Sequence, residues 1–523
     1  MEKGDQPEIV AAMLEPGFYP HRPERVELRE THTSWVFLAG ELAYKVKKPV
    51  VLPFLDYGSP ERRRRMCYEE VRLNRRLAPS YYLGVEAISR RDGGFALVPE
   101  DDGGAVEYAV RMRRVPEQLT LAALAARGEL GHAEVDAVAR RLSRFHAEAP
   151  EAPREFRDLA TLEASLRENI ETLRSSGPPI IPGDRLRAAG DFTEAFLGKR
   201  RPQLVERTRE GWIRECHGDL RAEHVIVADG IDVYDCVEFN PALRFIDVAA
   251  DIAFLVMDLT RLACFRPTDR LVATYRHAGG DPGDDALLSF YAAYRAWVRS
   301  KVACVRAAEL PGEDPERQRQ EAEARALLDL GHRFAWRARL PLVLAVCGPA
   351  ASGKTTLAKR VAEVSGLEHL GSDVTRKSLA GLAPTERATA DHYTDAFNRR
   401  TYEELGRSAA DQVRRGGGVI VDATFRRRVD REAFTAALGD ITVPVFFAEC
   451  EAPANVLRER ARGREGEGEH VSDAGPDVAA RQLAELEALS EVPEGLRSPV
   501  RTDRPVAELL PELEDRINQL LGG

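Results

Sequence analysis

A chain of 523 residues, 44% hydrophobic and 31% charged, carries enough apolar material for two to four packed domains and is neither disordered nor fibrous in composition. Its net charge of −10 argues against a protein that coats nucleic acid, though a local basic cleft is compatible with it, and no run approaches the roughly 18 apolar residues of a membrane span. The N-terminus lacks a basic stretch followed by an apolar one, and the seven cysteines form no C-x-x-C pair, so a cytoplasmic protein with reduced thiols is expected.

Residues 36–55 alternate in polarity about Gly40-Glu41 and predict a hairpin. Lys45 and Lys47 fall on one face of its second strand, because side chains on a strand repeat every two residues. Helical text covers 60–77, including Glu69 and Glu70, and strands are predicted near 84–89, 94–99 and 106–113. From 120 onward the pattern is helical, with His146 at a helix end. The loop Cys216-His217-Gly218-Asp219-Leu220-Arg221-Ala222-Glu223-His224 interrupts it. A short strand then runs into Asp235 and Glu238, and Asp247 and Asp251 follow.

This loop resembles the H-G-D-x-x-x-x-N catalytic loop of the aminoglycoside phosphotransferase family, relatives of the protein kinases. The resemblance covers roughly residues 30–310 and implies a bilobal, protein-kinase-like α+β domain. It implies that Asp219 accepts the proton of an acceptor hydroxyl and that Asp235 binds a metal, with Glu238 a second acidic ligand. His224 stands where the family has Asn, and imidazole is a poorer Mg²⁺ ligand than an amide oxygen. Lys45 or Lys47 is expected at the nucleotide's α/β-phosphates, with Glu70 as the pairing acid. Segment 109–119 would grip adenine, Asp251 would brace the loop, and Asp247 would open a buried helix. His146 is read as structural.

A charged helix over 313–340 stops at Pro341 and divides the chain into domains 1–338 and 339–523. Leu342 to Thr356 then reads LVLAVCGPAASGKTT, a buried strand running into G-x-x-x-x-G-K-[ST]. This P-loop predicts an α/β domain with a doubly wound parallel sheet, in which backbone N–H groups and a helix start face a polyphosphate. Gly348, Ser352, Gly353, Lys354, Thr355 and Thr356 are its expected phosphate-binding residues, with Lys354 at the β/γ-phosphates and Thr355 on Mg²⁺.

Further on, Gly371-Ser372-Asp373-Val374-Thr375-Arg376 closes a strand, and its Ser/Asp pair also reads as a helix N-cap. It resembles the P-loop kinase group containing polynucleotide 5′-kinase, zeta toxins and small-molecule kinases. That likeness implies that Asp373 activates an acceptor hydroxyl and that Arg376 holds an anionic acceptor. The buried strand 418–425 ends in Asp422 and Thr424 at the carboxyl edge of the sheet, where Asp422 suits a Mg²⁺-binding role, and 443–453 reads as another core strand. Arg458, Arg460, Arg462 and Arg464 lie in a Gly-punctuated stretch where the group has a lid over 463–476; Arg460 and Arg464 are the two expected on the transferring phosphate.

Taken together, the pattern resembles the bacterial family described as bifunctional aminoglycoside phosphotransferase and ATP-binding protein. It implies an ATP-dependent kinase with two nucleotide sites, using ATP and Mg²⁺ on hydroxyl groups of small molecules. Two alternatives stand beside it: one active P-loop kinase with a degenerate kinase-like domain, and a toxin-like module acting on a nucleotide sugar or a nucleic-acid end. Nothing in the pattern assigns an acceptor or an oligomeric state.

Overall fold

The computed structural model describes residues 5–52, 55–91, 93–99, 104–177, 179–383, 386–465 and 482–521. The chain divides into two compact units, Met1–Leu162 with Val205–Gly283, and Glu163–Leu204 with Asp284–Gly523.

The first unit begins with a six-stranded antiparallel sheet. Its spatial order is Val26–Glu30, Ser34–Ala39, Leu42–Lys47, Ala105–Arg113, Tyr82–Arg91 and Gly94–Val98. Alternation along Leu42–Lys47 sorts the side chains. Tyr44 and Val46 join Ile9, Met13 and Phe37 on one face, while Ala43 joins Cys67, Val71 and Val110 on the other. That second face is covered by the helix Pro60–Asn74, which starts cleanly because Ser59 accepts the Arg62 N–H and proline occupies its first turn. Lys45 and Lys47 share Ala43's parity and are therefore turned toward this helix. Helices His132–Glu148, Val248–Arg261 and Phe265–His277 follow, and Val248–Arg261 is buried along almost its whole length. Two small antiparallel pairs, Ile213–Glu215 with Phe245–Asp247 and Val225–Val227 with Ile231–Val233, carry the loop between them. A sheet-rich lobe followed by helices is the kinase-like layout expected.

The second unit holds a five-stranded parallel sheet ordered His369–Gly371, Gly418–Asp422, Leu342–Cys347, Val445–Glu451, Arg497–Arg501. Leu342–Cys347 is buried at every position because helices cover both faces. Leu344 and Val346 pack with Leu357, Val361, Leu509 and Ile517, while Val343 and Ala345 pack with Tyr402, Leu405, Ala409 and Phe434. This is the doubly wound P-loop architecture. The strand Arg497–Arg501 and the helix Val506–Asn518 that complete it had no sequence expectation.

The expected division at 338/339 falls inside this second unit. Helices Gly183–Lys199, Asp285–Glu309 and Pro315–Arg337 belong to it. The physical tie is polar as well as apolar: Trp336 Nε1 donates to Glu514 at 2.8 Å, and Arg339 Nε donates to Asn518 at 2.9 Å. Phe192, Phe196, Phe290 and Trp297 stack between the helices. Among the described residues no helix is long and apolar enough to cross a membrane, and none of the seven cysteines forms a disulfide.

Candidate functional site

In the kinase-like unit the loop is shaped by glycine and anchored by buried carboxylates. Gly218 has φ +87, and a Cβ there would lie 2.7 Å from the Leu243 carbonyl, so neither the dihedral nor the space admits a side chain. Asp251 accepts the N–H groups of His217 and Gly218, each at 2.9 Å, and stands 3.1 Å from His146 Nε2. Burial pushes the Asp251 carboxyl upward, but His146 and His217 outweigh it and hold the group well below the usual carboxylate range. Asp247 opens the helix Val248–Arg261 by accepting the Ala249 N–H, and Arg207 forks it.

Above this brace the charged residues converge. Lys45 Nζ lies 2.9 Å from Glu70 and 2.8 Å from Asp235, partners separated from it by 25 and 190 positions. Burial disfavours the ammonium, but Asp235, Glu70 and Glu238 outweigh it and hold the Lys45 pKa well above its ordinary value. Lys47 is sealed, at 0% exposure, and pairs with the other Glu70 oxygen at 2.7 Å and with Glu238. The choice left open by the strand period is thereby narrowed, since Lys45 alone keeps an edge to solvent, at 16% side-chain exposure.

Asp235 itself sits at φ +64, a conformation Asp tolerates better than most residues. Burial would raise its pKa, yet the Lys45 ammonium leads the opposing influences that keep it below the carboxylate range.

Two of the expected ligands are engaged elsewhere. Glu238 is only 7% exposed, and its Oε1 is taken by Lys47 and, at 2.6 Å, by the Tyr57 hydroxyl, so its carboxylate is an internal counter-ion instead of an open ligand. His224 turns Nδ1 to the Asp219 carbonyl at 2.8 Å and Nε2 to Arg221 Nη2 at 3.2 Å. Arg221 forks the Asp219 carboxylate at 2.9 to 3.1 Å. Tyr57 and Asn74, which bonds the Cys236 N–H at 2.9 Å, carried no sequence signal. Arg221 did carry one, since it lies two residues past Asp219.

In the P-loop unit the site is made by backbone. Gly348 has φ +137, and a Cβ there would lie 2.6 Å from the Cys450 carbonyl and 2.8 Å from Ser352 Oγ. Gly353, at φ +85, turns the chain into the helix Lys354–Ser365, whose first turn presents Lys354, Thr355 and Thr356. Two side chains from far along the chain hold the loop. Gln482 accepts the Ala350 N–H at 2.9 Å, and Thr502 Oγ1 donates to the Ser352 carbonyl at 2.5 Å. Arg460 Nη2 donates to the Thr502 carbonyl at 2.7 Å, which ties it to the residue that holds the loop; Arg464 and the expected lid over 463–476 lie outside the residues whose side chains are described.

Asp422 ends its strand opposite Val346, 6% exposed, with His369 Nε2 3.6 Å from its Oδ2. Burial pushes its carboxyl upward, but His369, Lys354 and Thr355 outweigh that and lower it. Its Oδ1 and the buried Ser352 Oγ have no hydrogen-bond partner among the described residues. Asp373 is the second residue of the helix Ser372–Leu379, whose cap is Gly371; the expected capping by the Ser/Asp pair is absent because both residues lie within the helix. Arg376 is 6% exposed, bonds Asn398 at 3.2 Å and lies 4.7 Å from the Tyr393 ring centre.

Fold and site together define a protein with a kinase-like unit and a P-loop unit. The family model described as "AAA domain" matches residues 343–489. Uncharacterized proteins of Mycobacterium tuberculosis and Mycobacterium bovis are each 33% identical over 468 residues, covering 88% of this chain and 90% of theirs. The chain belongs to the family of these mycobacterial proteins. Among solved structures, it is similar to a choline/ethanolamine kinase family protein from Mesorhizobium loti, with 14% identity, 64% of this chain and 99% of that one covered, and a TM-score of 0.37. It is also similar to a gluconokinase from Sinorhizobium meliloti, with 21% identity, 35% and 95% covered, and a TM-score of 0.27.

Proposed function

We propose that this chain is an ATP-dependent phosphotransferase with two nucleotide sites, each moving a γ-phosphoryl group to a hydroxyl of a small molecule in the cytoplasm. The carrying observation is Lys45, held between Glu70 and Asp235 across 25 and 190 positions of sequence in a unit separate from the P-loop. An ion triad of that reach serves to fix a cationic side chain beside phosphate. The functional limits are 1–338 for the kinase-like region and 339–523 for the P-loop region.

In each site the chemistry is the same. The acceptor oxygen attacks the γ-phosphorus, ADP leaves, and a carboxylate takes the hydroxyl proton: Asp219 in one site, Asp373 in the other. Lys354 and the P-loop N–H groups stabilise charge on the phosphates, Arg376 holds the acceptor's anionic part, and Arg460 and Arg464 serve the transferring group. The donors suit Mg²⁺. Asp422 Oδ1 is a buried oxygen lacking a partner among the described residues, Thr355 is an exposed hydroxyl, and Asp235 offers a partly exposed carboxylate. When bound, the ion neutralises charge on bridging phosphate oxygens.

A second reading, in which the kinase-like unit only binds nucleotide, is favoured by the guanidinium of Arg221 lying on Asp219. A panel of hydroxyl compounds incubated with Mg²⁺ and ATP separates the readings. Asp219→Asn is expected to silence one acceptor class and Asp373→Asn another. Loss of every activity in Asp373→Asn alone would establish a single active P-loop kinase.

A further inference from the structure

Protein kinases hold two Mg²⁺ ions, one on the acid after the catalytic loop and one on the loop's amide. A divalent cation at the second position needs hard oxygen donors and no competing positive charge within reach. This chain meets neither condition there. His224 replaces the amide, and its Nδ1 lies 2.8 Å from the Asp219 carbonyl, a contact that requires the proton on Nδ1. The lone pair is therefore on Nε2, which lies 3.2 Å from Arg221 Nη2.

The same guanidinium forks both carboxylate oxygens of Asp219 and pairs with Glu223. The acceptor atoms around the second position, both Asp219 oxygens, Glu223 Oε1 and His224 Nε2, thus already share one cation, and arginine does not give up its proton in proteins. Asp235 keeps Oδ1 on Lys45, while its Oδ2 lies 3.8 Å from His224 Nε2 in a side chain 42% exposed. Among the described residues, the one group of three His, Cys, Asp or Glu donors within mutual reach is His146, Cys216 and Asp251. That group is the buried brace under the loop; none forms around Asp235 and His224.

We infer that the kinase-like site takes a single divalent cation, at Asp235, and that Arg221, seated by Asp219 and His224, stands in place of the second. His224 is then the acceptor that aims a fixed guanidinium, and the departure from the H-G-D-x-x-x-x-N pattern belongs with Arg221 as one paired change. The inference rests on reading this unit as a nucleotide site.

The test counts ions, with Mn²⁺ as the probe and the non-hydrolysable analogue AMP-PNP as the nucleotide, on the full chain. Free Mn²⁺ is read by electron paramagnetic resonance, and bound nucleotide by equilibrium dialysis. The expected result is two nucleotides and two Mn²⁺ per chain, one of each in either unit, with Asp235→Asn losing one Mn²⁺. The double variant Arg221→Gln with His224→Asn removes the fixed charge and restores an amide oxygen, and it is expected to take up a third Mn²⁺. Arg221→Lys keeps the charge and stays at two. Three Mn²⁺ on the unaltered chain overturns the inference, whether or not the double variant folds. So does a folded double variant that stays at two ions with two nucleotides. One nucleotide per chain, unaffected by Asp235→Asn, overturns the two-site reading itself and is told apart by the nucleotide count.

Discussion

The P-loop and the ion cluster of the kinase-like unit are built on opposite principles. In the P-loop the geometry is local and made by backbone: Gly348 and Gly353 occupy left-handed or extended-positive dihedrals within six consecutive residues, and the strand before them is buried at every position. In the kinase-like unit the geometry is long-range and made by side chains, with Lys45, Lys47, Glu70, Asp235 and Glu238 forming one buried ion network. A backbone cradle keeps its shape when a side chain is removed. A buried ion network does not, because each deletion leaves an opposite charge unpaired in a low-dielectric interior.

The largest expected effect tests this contrast directly. Glu70 is fully buried and neutralises both lysines, so Glu70→Ala is expected to cost the kinase-like unit about 3–5 kcal/mol of stability. Lys354 supports no core. Lys354→Ala is expected to lower P-loop phosphoryl transfer by about 10²–10³-fold, with the melting temperature unchanged. Thermal unfolding and turnover of the two variants, measured side by side, check the pair. If Lys354→Ala unfolds its unit, or if Glu70→Ala melts with the unaltered chain, the contrast between backbone and ion network fails.

The same contrast explains what was readable in the sequence. The P-loop, the strand ending in Asp422 and the hairpin holding Lys45 are contiguous patterns of apolar spacing and glycine, and each emerges at its expected place. The residues that complete the sites are not contiguous. Gln482 and Thr502 reach the P-loop from 132 and 150 positions away, and nothing in their own neighbourhoods marks them. Glu238 is a ligand candidate by its place after the catalytic loop, and the bond it makes to Lys47, 191 positions off, has no local mark. The expected division at 338/339 rests on a helix end and a proline. Which unit the helices join depends on contacts such as Trp336 with Glu514, which no local pattern carries.

A smaller effect follows from pH. His217 lies under the loop with Nε2 2.9 Å from the Tyr234 carbonyl and Nδ1 3.3 Å from the Asp219 N–H, an arrangement that needs the neutral ring. Burial, the largest influence, pushes its pKa from 6.5 down to about 4. Between those values the unfolded chain binds a proton that the folded one does not, so stability falls as pH drops through the window. The expected loss is about 3 kcal/mol for the kinase-like unit from pH 6.5 to pH 4, at 1.36 kcal/mol per pKa unit. Below the ordinary Asp range the lowered Asp251 adds a loss of the same sign. Burial holds His332, in the second unit, well below 6.5 in the same way, so that unit also loses stability in acid. The share due to His217 is read with His217→Gln: hydrogen exchange corrected for intrinsic rates is expected to show the helix Val248–Arg261 losing protection across this window in the unaltered chain and much less in the variant. Equal losses in both chains would show that the acid sensitivity of this unit does not come from His217.

The smallest expected effect lies at Arg376 of the P-loop unit, where side chains again do the positioning. Arg376 is held by Asn398 and by the face of Tyr393, a ring 42% exposed. A cation over an aromatic face at such a site is worth about 0.5–1 kcal/mol. Tyr393→Leu keeps the Arg376 guanidinium with Asn398 as its partner and removes the ring with its hydroxyl. The acceptor KM of whichever activity Asp373→Asn silences is therefore expected to rise about two- to fivefold, with kcat and nucleotide affinity unchanged. Arg376→Lys loses the planar fork along with the stacking, and it is expected to raise KM further. A fall in kcat for Tyr393→Leu at constant KM would mean that the ring serves the transfer step. A loss of nucleotide affinity would mean that the helix carrying Arg376 belongs to the phosphate cradle, so that this site, like the kinase-like one, depends on side chains for its shape.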